Sequence, residues 1–345
     1  MTRLLTGISQ PDCTREPRCF SRMGRQQAPL PRLLADFSEK LPIFRFRKRM
    51  CVFVPVVLGF VLMVFSPRAA TGEDDIFRVR TDFSKEDSGL SEVMIKTLDP
   101  PDFKRVPIGK LRKSSHVMLD VVSVKRNQII DQDAWFAEHS LVQPDNNLAV
   151  DDPNLKSFRG LKLNNVIIDG ERRLLFYGPD NSSSCLLLSQ RLDNRKLEYA
   201  LDFSSYSYAP RYVTADRDFV FQQIRWATRI GDVLYVSHGH NTYAKSSFGM
   251  NAYVSAIDLV SMKALWHSSP LVSNTYNFQI YGDYLITGYG FTAEPDFLFL
   301  LRRDTGEAVA RIPVKSGPEY IFLKNDQLFV RTYDTDYVFR ILQRR

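Results

Sequence analysis

The sequence predicts an all-β fold of repeated four-stranded sheets, and three observations lead to this prediction. From about residue 160 to the end, short apolar runs rich in β-branched and aromatic residues alternate with turn residues. Two turn patterns recur along this part of the chain in a fixed order. Their clear copies are 43 to 51 residues apart, the length of one four-stranded propeller blade. We therefore predict a β-propeller over residues 76–345.

The predicted strands are apolar runs of three to six residues bounded by turn formers. The runs are Val233–Val236, Ala252–Ile257, Tyr284–Ile286, Phe297–Leu301, Gln327–Val330 and Tyr337–Ile341. Upstream, the side chains of residues 117–124 alternate in character as those of a further strand do. Residues 131–139 have the pattern of a short helix with Asp131 as its N-cap.

The first recurring pattern is a tight turn followed by a strand. It occurs at Gly231-Asp232, Gly282-Asp283 and Asn325-Asp326. Gly and Asn tolerate positive φ and Asp caps its own backbone, so these dipeptides favour hairpin turns.

The second pattern is a strand that ends in Asp, a turn, and another strand. Residues 256–266 (AIDLVSMKALW) are the clearest copy, residues 304–310 the second, and residues 193–199 a weaker third. We expect the Asp to accept hydrogen bonds from turn amides, and Trp266 to pack between neighbouring sheets.

Together these residues resemble the quinoprotein-type (PQQ-like) β-propeller repeat, with its consensus of GDxLYV followed by AxDxxTGKxxW. The resemblance covers residues 160–341, about four blades. It departs from the consensus at Met262, which replaces the usual turn glycine, and one copy alone keeps the Trp. Length suggests about six or seven blades of ~40 residues, with residues 76–160 as diverged first blades. An irregular β-sandwich is the alternative fold.

The positive charge of the chain lies in its first 49 residues. The whole sequence has a net charge of +7, and residues 1–49 hold 11 basic and 4 acidic residues, which leaves 35 of each in the remainder. A neutral body has no general attraction for phosphate backbones, so we predict no nucleic-acid partner. We interpret residues 1–49 as a disordered basic leader, or as sequence upstream of a true start at Met23 or Met50.

Residues 50–72 have the order of a secretory signal. Basic residues 45–49 precede the apolar run 51–65, and small residues follow. Fifteen helical residues span about 22 Å, less than the ~30 Å of a bilayer core. We predict an exported protein, periplasmic or extracellular, cleaved after Gly72. An uncleaved N-terminal anchor with membrane association is the alternative, and a buried strand is a third.

The candidate binding residues lie in two loops at equivalent positions of consecutive repeats. The first loop contains His238, His240 and Tyr243, and the second contains Tyr289, Glu294 and Asp296. Loops on one side of a repeat array cluster in space, so we predict that these residues form one ligand-binding rim. A purely structural turn at residues 238–243 is the alternative.

Metal and catalytic signatures are weak. His238 and His240 are two residues apart on one side of a strand, but a metal site usually needs three or four ligands, so we predict no metal and no cofactor. Residues 73–345 contain one cysteine, Cys185, and no GxSxG, Walker or HExxH motif. We expect a non-catalytic module that binds a protein or small ligand. A propeller enzyme (a hydrolase, lyase or quinone-dependent oxidoreductase) and a metal-binding module are the alternatives.

Overall fold

The computed structural model describes residues 93–343, apart from 106, 110, 112–116, 143–152, 210–215, 217 and 218. The predicted leader, the apolar segment 51–65 and the cleavage point after Gly72 lie outside these residues. Among the described residues, no helix has the length and apolar character needed to cross a membrane.

The described residues form eighteen strands and one α-helix, α1 (Gln132–Glu138). In chain order the strands are β1 (Ile95–Thr97), β2 (Val117–Arg126), β3 (Ser157–Phe158), β4 (Leu161–Asp169), β5 (Arg172–Gly178), β6 (Leu186–Arg191), β7 (Leu197–Asp202), β8 (Gln223–Ile230), β9 (Val233–Gly239), β10 (Tyr253–Asp258), β11 (Lys263–His267), β12 (Gln279–Tyr281), β13 (Tyr284–Phe291), β14 (Glu294–Arg302), β15 (Ala308–Pro313), β16 (Pro318–Lys324), β17 (Gln327–Thr332) and β18 (Thr335–Gln343).

Four sheets follow one another along the chain, and each is built around an antiparallel meander. Their strand orders are β1-β7-β6-β5-β4-β3, β11-β10-β9-β8, β12-β13-β14-β15 and β16-β17-β18-β2. The fold is therefore the predicted all-β, propeller-like succession of four-stranded sheets. All six apolar runs, the strand at residues 117–124 and the helix after Asp131 are confirmed.

The described residues form four sheets, fewer than the six or seven expected from length. One reason is that the described strands before residue 159, β1, β2 and β3, join the sheets of later strands instead of forming new ones. β1 pairs in parallel with β7, and β2 pairs antiparallel with β18. β2 is therefore the outermost strand of the fourth sheet, next to β18.

The predicted tight turns join the first and second strands of their sheets. Gly231 and Gly282 have φ of 60° and 57°, the positive values that a type II′ turn needs at its first central residue. Asn325 and Asp326 both have positive φ, 50° and 59°, as a type I′ turn requires. The first sheet has an equivalent turn at Gly170, with φ of 62°.

The predicted Asp turns join the third and fourth strands. The Asp258 carboxylate accepts hydrogen bonds from the backbone N–H of Val260 and of Ser261, at 3.3 and 3.0 Å. Met262 then adopts a φ of 53°, in the left-handed region that Gly306 occupies with a φ of 70° in the next sheet. The turn therefore keeps its geometry although it lacks glycine.

Successive sheets bury apolar side chains between their faces. Leu174 and Phe176 of the first sheet pack with Val236 of the second in one cluster. Trp266, at the edge of the second sheet, lies against the turn of the third as predicted. Its indole Nε1 donates to the Arg303 carbonyl at 3.2 Å, and its ring covers Gly306.

Helix α1 covers the outer face of the fourth sheet. Trp135 and Phe136 pack there with Tyr320. Arg331, 1% exposed, donates to the Gln128 carbonyl at 2.6 Å and forms ion pairs with Asp131 and Asp336. A buried guanidinium with two carboxylates therefore fixes the helical segment to the sheet.

Candidate functional site

One end of the sheets carries the loops between second and third strands, and we call it the loop face. It comprises residues 179–185, 240–252, 292–293 and 333–334, together with the starts of the first strands, β4, β8, β12 and β16. The tight turns and the Asp turns lie at the opposite end, where Leu259 N–H donates to the Asp232 carbonyl at 2.8 Å.

The two loops that contain the candidate residues are in contact. The Ala244 N–H donates to the Glu294 carboxylate at 2.8 Å. The rings of Tyr243 and Phe291 meet edge to face with centroids 4.6 Å apart. Tyr289 also donates its hydroxyl to Glu294. Glu294 therefore holds the two loops together, and Tyr243, Glu294 and Asp296 keep partial exposure.

His238, His240 and Tyr289 differ from the expectation of a ligand-facing rim, because they are core side chains with exposures of 0, 1 and 2%. Both imidazoles flank Tyr208, with ring centroids 5.9 and 6.0 Å from its centroid. Residues outside the strands cover both imidazoles. Phe103 and Tyr206 lie against His238, and the Ser247 hydroxyl bonds His240 Nε2 at 2.6 Å. The sequence does not show which segments pack against these two positions.

His238 belongs to a chain of buried hydrogen bonds. Its Nδ1 bonds the Tyr208 hydroxyl at 3.0 Å and its Nε2 bonds the Ser255 hydroxyl at 2.6 Å. Ser255 in turn bonds His267 Nδ1 at 2.7 Å. Burial lowers the pKa of His267 to about 4 and that of His238 well below its usual value, so both rings are neutral at pH 7.

Phe103 covers this chain of hydrogen bonds. Its ring stacks on Tyr253 with centroids 4.2 Å apart, and lies 5.6 Å from both His238 and His267. The Tyr253 hydroxyl donates to the Lys104 carbonyl at 2.7 Å, which fixes the segment in place. Ser255 and His238 are fully buried beneath it, so neither has access to a substrate in this structure, whereas His267 is partly exposed.

Asp296 is a partly exposed member of the predicted site, and its ionisation is perturbed. Burial, with the nearby negative charge of Asp334 as the second cause, raises its pKa to about 6. Its Oδ1 is buried without a hydrogen-bond partner. A side chain at Gly290 would lie 2.1 Å from this atom, so the glycine is required for the internal fit of the two strands.

The structure also reveals equivalent polar residues on the first strands that the sequence analysis missed. In three sheets the pairing of the first and second strands shifts by one residue, and the extra residue is Asn164, Arg225 or Glu319. Tyr276 holds the same place before the short first strand of the third sheet. We call these four residues the bulge row. A bulge re-aims the side chain of its extra residue.

The members of the bulge row are linked in space. Asn164 donates to the Ser184 hydroxyl at 3.0 Å, and the Ser184 carbonyl accepts from Ile224 N–H at 2.9 Å, next to Arg225. At the other end of the row, Tyr276 N–H donates to the Glu319 carbonyl at 2.8 Å. The row therefore runs across all four sheets at the loop face.

A signal for the bulge row exists in the sequence. Each of its four residues lies six positions before the first residue of a tight turn: Gly170, Gly231, Gly282 or Asn325. Aligning the repeats on these turns brings one polar residue into register in every sheet. The alignment does not show that the position is bulged, because a bulge depends on pairing with the neighbouring strand.

The bulge row has hydrogen-bonding and charged groups without protein partners. Asn164 Oδ1 and Arg225 Nε are buried and unpartnered. Burial lowers the pKa of Arg225 and raises that of Glu319. Such a surface is suited to bind a polar ligand. No group of three or more His, Cys, Asp or Glu side chains suited to a metal ion occurs among the described residues.

Comparison with known proteins gives similarities of fold alone. No family model and no curated protein matches the sequence. Among solved structures, the computationally designed Ika4 protein aligns with 52% of this chain and 88% of its own, at 8% identity and a TM-score of 0.32. A europium-containing methanol dehydrogenase aligns with 49% of this chain and 39% of its own, at 10% identity and a TM-score of 0.33. BamB from Moraxella catarrhalis aligns with 51% of this chain and 71% of its own, at 10% identity and a TM-score of 0.27.

Proposed function

We propose that this chain is an exported, non-catalytic binding module that presents its loop face to a protein or small ligand. The bulge row is the observation that supports the proposal. The scaffold repeats from sheet to sheet, but the residue at the equivalent position, bulged in three of the four sheets, is an amide, a guanidinium, a phenol or a carboxylate. A position needed for packing alone has no reason to carry four different polar groups, whereas recognition of a polar ligand does.

The leader residues support export. The basic, apolar and small-residue order of residues 45–72 is typical of a secretory signal. We also propose that the repeat is of the quinoprotein type. The Asp258 turn and the contact of Trp266 with Gly306 follow the pattern that the resemblance to this repeat implies. N-terminal sequencing of the protein from a non-cytoplasmic fraction tests export. A soluble cytoplasmic protein that retains residues 1–72 would contradict it.

Hydrogen exchange in the presence of probe ligands tests the binding role. The probes are succinate, inorganic phosphate, putrescine and glucose, which represent anionic, cationic and neutral polar groups. We expect a bound probe to slow exchange in residues 240–252 and 274–277 at the loop face. Tyr243→Ala should weaken this protection, whereas Val260→Ala, an exposed change at the opposite end, should not. Protection confined to residues 231–232 and 258–262 would contradict the proposal.

A propeller hydrolase is the second candidate, because Ser255 Oγ and His238 Nε2 lie 2.6 Å apart. A hydrolytic role requires the Phe103 segment to open, since it seals Ser255 from solvent. Incubation of the full chain with a fluorophosphonate probe separates the two functions. We expect no labelling of Ser255. Labelling that Ser255→Ala abolishes would favour the hydrolase.

A further inference from the structure

We infer that Arg225 binds an anionic group, a carboxylate or a phosphate, of the ligand at the loop face. This inference rests on the proposed binding role of that face and adds the chemical class of the ligand. It depends on the position of the guanidinium, on its lack of an anionic partner, and on the neutral groups around it.

The position of Arg225 follows from the bulge in β8. Ile224 pairs with His238 and Trp226 pairs with Ser237, so Arg225 has no partner of its own in β9. Its side chain lies at the loop face, where Nη2 donates to the His240 carbonyl at 3.2 Å. One arm of the guanidinium is thereby held by the backbone of the loop, and the rest of the planar fork is held in a fixed orientation.

No carboxylate in the described part of the chain lies within ion-pair distance of Arg225. Other partly or fully buried arginines differ from it in this respect. Arg172 pairs with Glu198 at 2.6 Å, and Arg331 pairs with Asp131 and Asp336. Removing a charge from water is costly unless an opposite charge or hydrogen bonds compensate. Arg225 has one hydrogen bond, and its buried Nε has none.

The ionisable groups that act on Arg225 in the described part of the chain are phenols and an imidazole, and none of them is a carboxylate. They are the phenols of Tyr208, Tyr276 and Tyr289, and the imidazole of His240, whose pKa falls to about 3 through burial and the Arg225 charge. The positive charge is therefore not neutralised from within the site. A carboxylate or phosphate accepts two parallel hydrogen bonds from such a fork, and a neutral amide of the same shape does not supply the charge.

Binding of three probes tests the inference on the full chain. Succinate and inorganic phosphate represent the two anionic groups, and succinamide is the neutral counterpart of succinate. We expect calorimetry to show saturable binding of at least one anion and none of succinamide. Which anion binds more tightly distinguishes the carboxylate from the phosphate. Arg225→Gln should weaken binding at least tenfold, whereas the control Arg303→Gln, a partly exposed arginine at the opposite end, should change it less than twofold.

A second variant guards against a misfolded Arg225→Gln. Arg225→Lys keeps the charge but loses the fork, and we expect binding between that of the wild type and that of Arg225→Gln, with an unchanged circular dichroism spectrum. Absence of saturable anion binding to the wild type, or equal binding by Arg225→Gln, overturns the inference. If glucose protects the loop face in hydrogen exchange while neither anion binds, the inference fails and the binding role stands. If anions bind but slow hydrogen exchange at the opposite end alone, both the inference and the proposed binding role fail.

Discussion

The contact between Trp266 and Gly306 gives a quantitative test of how neighbouring sheets are joined. Gly306 has a φ of 70°, and a Cβ at this position would lie 2.3 Å from Trp266 Cε3. Gly306→Ala therefore combines two penalties. Left-handed backbone costs an alanine roughly 1–2 kcal/mol. The indole must also move, and it loses packing and its hydrogen bond to Arg303 O, which adds about 1–2 kcal/mol.

A double-mutant cycle separates these penalties. Trp266→Ala alone should cost about 2–3 kcal/mol, below the 3–5 kcal/mol of a fully buried Trp, because the side chain is partly exposed. In that background Gly306→Ala should cost roughly 1–2 kcal/mol, the backbone penalty alone. The two changes should therefore be subadditive by at least about 1 kcal/mol.

Urea unfolding followed by far-ultraviolet circular dichroism measures each free energy. Gly282→Ala is the matched control in the same sheet, since Gly282 has a φ of 57° and nothing lies within 4 Å of an added Cβ. It should cost roughly 1–2 kcal/mol with or without Trp266. Equal costs of Gly306→Ala and Gly282→Ala, or additivity with Trp266→Ala, would refute the proposed contact between sheets.

Three further outcomes are expected in the same unfolding assay. Asp326→Gly should stabilise the protein by about 0.5–1 kcal/mol, because the second residue of this type I′ turn has positive φ, and a loss of stability would contradict the turn assignment. The pKa of His267 is lowered to about 4 in the folded state, so the unfolded state binds the extra proton and stability falls as pH drops from 6.5 towards 4. His267→Gln should reduce the loss of stability between pH 8 and pH 5 by about 1–2 kcal/mol. An unchanged dependence of stability on pH would show that the imidazole is hydrated. Asp131→Ala should cost about 1–3 kcal/mol, since Arg331 keeps its other carboxylate, and a loss below about 0.5 kcal/mol would mean that the pair does not anchor α1.

The repeat and its turns could be predicted from the sequence because they depend on local chemistry. Gly231-Asp232 and Asp258 determine their turns through φ preferences and a side chain that caps nearby amides. The strands at residues 117–124 and 337–341 were predicted from alternation, yet nothing local indicates that they pair with each other across most of the chain. That pairing reduced the number of sheets below the estimate from length.

The candidate site was predicted less completely, because contacts between distant segments of the chain determine it. Tyr243 and Glu294 lie in contacting loops, and repeat register sufficed to place them near each other. His238 and Tyr289 stand at equivalent register positions, but whether such a residue faces solvent or a neighbouring sheet depends on packing between distant segments.

The sequence by itself determined the β-strand class, the turn types and the charge distribution, because each follows from residues within one short stretch of chain. Tertiary structure alone decided that Phe103 covers His238, that β2 completes the fourth sheet, and that Arg225 lies on a bulge where no described carboxylate pairs with it. Those features arise where segments far apart in the chain compete for the same partners, and side-chain burial and hydrogen-bond satisfaction then select one arrangement.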